Sequence, residues 1–174
     1  MIVIIAGTNR KNSKTRVISK IYQGILSKLG EESIILDLAN VPSDFIVSAL
    51  YENSGKNADF NKYRQVIENC SKFVFIVPEY NGSFPGVLKA FIDGLKYPDS
   101  FTDKKCALVG ISSGTQGGGL AVSHLTDIFN YCGMHVLALK PKLARIEANT
   151  SNGRITNDLY RELLENQARQ IIDF

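Results

Sequence analysis

Five short apolar runs, alternating with stretches of helical period, constrain this chain more tightly than any other feature. The runs are IVIIA (2–6), SIILDL (33–38), KFVFIV (72–77), CALVGI (106–111) and HVLAL (135–139). Several are apolar at nearly every position, the pattern of strands covered on both faces. Between them the period lengthens. Val17, Ile18, Ile21, Tyr22, Ile25, Leu26 and Leu29 recur at helical spacing and stop at Gly30, which marks an amphipathic helix with a glycine end signal. Tyr63, Val66, Ile67 and Cys70 predict a second helix, and Val87, Leu88, Phe91, Ile92 and Leu95 a third. Leu120, Leu125, Ile128, Phe129 and Cys132 predict a fourth, and Leu159, Leu163, Leu164, Ala168, Ile171 and Ile172 a fifth. Strand and helix alternating in this way require right-handed crossovers. The expected architecture is a doubly wound α/β fold, a five-stranded parallel sheet in the order 2-1-3-4-5 with helices on both faces. Segments 39–60 and 140–153 are the least regular and read as surface loops, the first with a short helix.

With 174 residues, 44% hydrophobic and 21% charged, one domain over residues 1–174 is expected. The opening MIVIIAG is followed at once by TNRKNSKTR. It lacks the length of a membrane span and the charge order of a secretory signal, so a cytoplasmic protein is expected. Cys70, Cys106 and Cys132 are far apart and lie in or beside apolar segments, which reads as reduced core thiols and neither disulfides nor a metal site. The net charge of +3 is unevenly placed: the first 30 residues carry Arg10, Lys11, Lys14, Arg16, Lys20 and Lys28 and no acid. With Tyr22 the only aromatic in that region, the partner expected there is a small anion, with no nucleic acid and no membrane.

In a sheet of this order, ligands bind outside the carboxyl ends of strands 1, 3 and 4. All three following loops are unusual. After strand 1, GTNRKNSKTR offers Thr8, Arg10, Ser13 and Thr15 at the start of a helix with no acid in it. Hydroxyls, a guanidinium and helix N-terminal N–H groups suit a phosphate dianion, although Ser13 alone also reads as an N-cap. The stretch NSKT lacks the glycine-lysine pair of a P-loop, which argues against ATP chemistry. After strand 3, Pro78 ends the ladder and Glu79, Tyr80, Asn81 and Gly82 turn the chain into a helix, leaving a ring and backbone amides at the mouth of the sheet, where a flat heteroaromatic ring can lie. A turn whose tyrosine only shields the core reads equally well. After strand 4, SSGTQGGG places Ser112, Gly114 and Gly117 in a loop with few side chains, which lets a ligand approach backbone. It is not a dinucleotide fingerprint, because GxGxxG is absent.

Taken together, GTNRKNSKTR, PEYNGSFPGVLKAFIDGL and SSGTQGGG, in this order and spacing, resemble the NADPH-dependent FMN reductase family, flavodoxin-like quinone, azo-dye and chromate reductases. The resemblance runs from residue 1 to about residue 140. It implies FMN as cofactor, NADPH or NADH as co-substrate and a small-molecule electron acceptor. By position it implies that Thr8, Arg10, Ser13 and Thr15 hold the phosphate. Pro78, Glu79, Tyr80, Asn81 and Gly82 would lie along the ribityl chain and isoalloxazine ring, and Ser112, Gly114 and Gly117 would form the third wall. Thr8 stands where many relatives have serine and Thr15 where many have asparagine, and both keep a hydroxyl. No residue is assigned a catalytic role. The cycle implied is ping-pong, the nicotinamide donor leaving before the acceptor binds, with the redox chemistry supplied by the flavin.

The resemblance also implies a homodimer or homotetramer whose neighbouring subunit completes the pocket, with segment 39–60 as the candidate contact. His124 and His135 are expected to serve packing. Two other readings compete. A flavodoxin-type electron carrier would bind FMN but is expected to be acidic, without an arginine such as Arg10 in its phosphate loop. A non-enzymatic redox-sensing interaction module would use the fold without turnover.

Overall fold

The computed structural model describes all residues, Met1–Phe174. The elements run β1 (Ile2–Ala6), α1 (Lys14–Lys28), β2 (Ser33–Asp37), α2 (Phe45–Ser48), α3 (Ala58–Glu68), β3 (Lys72–Pro78), α4 (Gly86–Asp93), β4 (Lys105–Ile111), α5 (Gly119–Tyr131), β5 (His135–Val136), β6 (Lys142–Leu143), β7 (Thr150–Ser151), β8 (Arg154–Ile155) and α6 (Asp158–Asp173). The main sheet is parallel in the order β2-β1-β3-β4-β5, with β6 also paired to β4. The expected flavodoxin-like strand order is therefore the observed one.

β1, β3 and β4 are central, and their side chains divide the core in two. Val3, Ile5, Phe73, Phe75, Val77, Cys106 and Leu108 face α3, α4 and α5, where Phe60, Phe91, Phe101 and Phe129 fill the layer. Ile2, Ile4, Val74, Ile76, Ala107 and Val109 face α1 and α6, against Ile18, Tyr22, Leu26, Leu164, Ala168 and Ile171. This alternation is the period-2 geometry of a strand, read out on two covered faces.

Four expectations need correction. The fifth strand does not run through 135–139. Only His135 and Val136 pair with the start of β4, and pairing resumes as Gly110–Lys142 and Ile111–Leu143, a register shift of two residues. The cause lies in α6. Fully buried Gln167 donates from Nε2 to the Leu108 carbonyl (2.9 Å) on β4 and to the Leu139 carbonyl (2.8 Å) on the edge segment. A side-chain amide thus satisfies a carbonyl that a ladder partner would otherwise serve, and the edge bulges around it. Secondly, segment 140–153 is not a plain loop. It contains β6 and enters the β7–β8 hairpin, whose turn residues Asn152 and Gly153 both have positive φ (48° and 71°), the two-residue turn that Asn-Gly favours. Thirdly, Leu120 is 51% exposed, and the buried stripe of α5 is Ala121, Val122, Leu125 and Phe129. His124 and His135, expected in packing, are both exposed.

Candidate functional site

A cleft of about 460 Å³ opens at the carboxyl ends of β1, β3 and β4. It lies where the strand order reverses, since β1 leads outward to β2 on one side and to β3 on the other. Arg10, Ser13, Thr15, Pro78, Glu79, Tyr80 and Ser112, all singled out from the sequence, line it. Thr8, Asn81, Gly82, Gly114 and Gly117 do not. A larger groove of about 830 Å³ between α4 and α5 is mainly apolar and carries Tyr51, Tyr97 and Tyr131. It is formed at the opposite end of α4, around Ile92 to Pro98, so the polar groups of the three loops are not part of it.

The loop after β1 is set by local rules. Ser13 is the N-cap of α1, its Oγ accepting from the Arg16 N–H at 3.3 Å. The first turn contains no acid, so the positive end of the helix is not offset from within. The N–H groups of Lys14 and Thr15, and of Lys11 and Asn12 before them, meet no protein acceptor. Arg10 is exposed and makes no ion pair with a protein carboxylate. Thr8 is 1% exposed and lies behind the cleft wall. Its Oγ1 accepts from the Arg10 N–H (3.2 Å) and is hydrogen-bonded to the Tyr80 hydroxyl (2.8 Å). Thr8 therefore ties the first loop to the second.

The second loop is a tight turn. Glu79 N–H donates to the Ile111 carbonyl (2.9 Å), which anchors the strand end to β4. Tyr80 and Ser83 then exchange backbone hydrogen bonds (2.7 and 3.0 Å), and Asn81 and Gly82 between them adopt φ of 51° and 74°. Two positive φ values define the type I′ geometry, which only Asn, Asp and Gly adopt readily. The N–H groups of Asn81 and Gly82 have no protein acceptor.

The glycines of the third loop serve a purpose that the sequence did not disclose. A Cβ on Gly117 would sit 2.6 Å from the Lys142 carbonyl carbon, and one on Gly110 would sit 2.4 Å from the Gly117 oxygen. The small residues let this loop lie on the edge of the sheet, and close approach of a ligand is not what requires glycine at Gly117. The loop itself remains open, with no protein acceptor for the N–H groups of Ser113, Gly114, Thr115 and Gln116.

Sequence reasoning missed the fourth wall. Ile146 and Glu147 line the cleft. They are held there because the Arg145 and Ile146 N–H groups donate to the Gly114 and Ser112 carbonyls (2.9 and 3.0 Å). Ser113 Oγ donates to Glu147 Oε1 at 2.9 Å, and Lys14 Nζ donates to Thr150 Oγ1 at 2.9 Å. No local motif marks Ile146 or Glu147. The Asn-Gly turn of the adjoining hairpin was the legible signal that the segment is ordered.

The donor set suits one kind of ligand. Hydroxyls of Ser13 and Thr15, the Arg10 guanidinium and open N–H groups at a helix start are chemistry for a phosphate monoester. The buried Pro78 and Ser112 and the exposed Tyr80 ring give the cleft a wall beside these donors that suits a flat heteroaromatic group. The chain's own residues thus fit FMN.

The family model for NADPH-dependent FMN reductase matches residues 1–167. An NAD(P)H-dependent FMN reductase of Pseudomonas aeruginosa is 32% identical over 115 residues, 63% of this chain and 62% of that protein. A 2-hydroxy-1,4-benzoquinone reductase of a Burkholderia species is 26% identical over 173 residues, covering 94% of this chain and 90% of the relative. Among solved structures, the flavoenzyme NAD(P)H:(acceptor) oxidoreductase FerB of Paracoccus denitrificans superposes with a TM-score of 0.80 at 23% identity, over 99% of this chain and 94% of that one.

Proposed function

This chain belongs to the NADPH-dependent FMN reductase family, and from that premise we propose that it is an FMN-dependent NAD(P)H oxidoreductase that reduces a small-molecule acceptor of the quinone class. The observation that carries the reading is the convergence of three strand-end loops on one cleft, each with donors unspent on the protein. The Burkholderia relative, matched over nearly its whole length, supports the choice of a quinone. Bound in this cleft, FMN would supply the hydride chemistry.

The chain's residues have three tasks in this reading. Arg10, Ser13, Thr15 and the first-turn N–H groups of α1 hold the phosphate, with Thr8 behind them fixing the loop through Tyr80. Pro78, Glu79, Tyr80, Asn81 and Gly82 orient the ring, chiefly through backbone. Ser112 stands in the third wall, with Gly114 and Gly117 shaping the loop that carries it, Gly117 by letting the loop settle on the sheet. No side chain is needed to exchange a proton in the hydride step.

The reading extends to assembly and compartment. Ile46, Val47, Tyr51, Tyr97 and Tyr131 are exposed (53%, 76%, 77%, 65% and 78%), and Tyr51, Tyr97 and Tyr131 line one mainly apolar groove, a contiguous patch of the kind that marks an interaction site. Three of them belong to segment 39–60. The tyrosine-lined groove is then where a second copy of the chain packs, giving a homodimer or a homotetramer. Tyr131→Asp should lower the mass measured by sedimentation, and a wild-type monomer at micromolar concentration would refute this part. No helix is long and apolar enough to cross a membrane, and the free thiols Cys70 and Cys106 are buried, which supports the cytoplasm. Activity is tested by steady-state oxidation of NADPH and NADH with 1,4-benzoquinone, FMN being present. The expected result is turnover that needs FMN and acceptor together. Donor oxidation that is slow and indifferent to FMN would contradict it.

A further inference from the structure

The turn Tyr80–Ser83 is braced from two sides by side chains of other elements. On one side the Tyr80 hydroxyl meets Thr8 Oγ1 at 2.8 Å. On the other, Ser83 Oγ meets His124 Nδ1 on α5 at 2.9 Å. One turn earlier on α5, Leu120 flanks the same segment: its Cδ1 lies 3.9 Å from where a Cβ on Gly82 would be. Positions 120 and 124 share a helix face, so α5 presents a small docking ledge to the turn. His124 is exposed, and Ser83 is its only side-chain hydrogen-bond partner. Burial does not account for it, and neither does a structural ion pair.

We propose that His124 is a positioning residue for the cofactor site: through Ser83 it fixes the Tyr80–Ser83 turn, whose Tyr80 lines the cleft, so that the turn and its open Asn81 and Gly82 N–H groups keep one orientation beside the cofactor. This rests on the functional reading above. The turn has only two backbone hydrogen bonds of its own, and both central residues are in a left-handed conformation, so its orientation depends on anchors outside it. Thr8 fixes the tyrosine end. His124 fixes the serine end, beyond which the chain enters α4 at Gly86. Without it, the amides remain available but are no longer preorganised, and the cost appears as lost affinity.

The test is FMN affinity, read by quenching of flavin fluorescence, in wild type and in His124→Ala, Ser83→Ala, the double variant and His124→Asn. Asparagine places a nitrogen or oxygen where imidazole has Nδ1, so it can restore the contact. Removing one neutral hydrogen bond predicts a loss of about three- to tenfold in His124→Ala and in Ser83→Ala. The double variant should be no worse than either single one, and His124→Asn should bind within about twofold of wild type. Unchanged affinity in His124→Ala, losses that multiply in the double variant, or no rescue by asparagine would overturn the assignment while leaving the cofactor reading intact. A wild-type chain that does not bind FMN would overturn that reading, and this inference with it.

Discussion

Arg10 carries the only guanidinium among the cleft residues, and no protein carboxylate engages it. Its loss therefore leaves no buried partner behind. Arg10→Ala should weaken FMN binding about tenfold or more, the worth of one charge-assisted hydrogen bond, with little change in unfolding midpoint. An isothermal titration giving equal Kd values for the two proteins would exclude the phosphate role. Gly110 behaves oppositely. A Cβ there would lie 2.4 Å from the Gly117 oxygen and 3.0 Å from Val122 Cγ2. Gly110→Ala should thus cost about 1–3 kcal/mol in urea unfolding, because strand, loop and α5 must separate. A variant as stable as wild type would show that the loop gives way freely. At this scale the sequence disclosed which loops matter more fully than which atoms do. Ser13 reads both as a cap and as a ligand; the structure shows the cap contact to the Arg16 N–H and places the same residue in the cleft lining. Thr8 was assigned to phosphate by position, yet it stands behind the wall, because only the fold reveals that Tyr80 is its neighbour.

Among elements, the central strands were legible and the edge was not, for a physical reason. β1, β3 and β4 are covered on both faces, so nearly every position must be apolar and the run announces itself. The segment HVLAL is equally apolar but belongs to an edge interrupted by Gln167, which lies 28 residues further on than Leu139. No local pattern can report a side chain that arrives from another helix. On α5 the periodicity located the helix but misplaced its buried stripe, because Leu120 is spent on the turn beside Gly82 and small Ala121 goes inward. Gln167→Leu tests the account of the edge. It strips partners from the Leu108 and Leu139 carbonyls and from the Tyr22 hydroxyl, which donates to Gln167 Oε1 at 3.1 Å. The expected loss is about 2–4 kcal/mol, with faster amide exchange along 135–143. Loss of stability without a change in exchange there would place the role of Gln167 elsewhere.

Across the whole molecule, Tyr22 and Gln167 tie α1 to α6 beneath the sheet. Burial pushes the Tyr22 phenol well above its ordinary value. The folded chain keeps this proton when the unfolded chain gives it up. The group's contribution is therefore whole below about pH 10 and is lost as pH rises beyond that, at about 1.4 kcal/mol per pH unit. Tyr22→Phe should be less stable than wild type at about pH 8, since Gln167 Oε1 loses its donor, and the gap should narrow at about pH 11. An undiminished gap would mean that the phenol ionises in place. The same architecture sets the cleft at one end of the sheet and the groove lined by Tyr51, Tyr97 and Tyr131 elsewhere, so the proposed cofactor site and the proposed subunit contact occupy different surfaces. The central claim, that three loops at the carboxyl end of this sheet form an FMN site reduced by a nicotinamide donor, is tested most directly by one spectrum. Purified protein is mixed with equimolar FMN, and NADPH and then NADH are added without oxygen. The account predicts a bound-flavin spectrum that bleaches within seconds. Bound flavin that stays oxidised would point to a carrier in place of a reductase, and flavin that remains free would contradict the site itself.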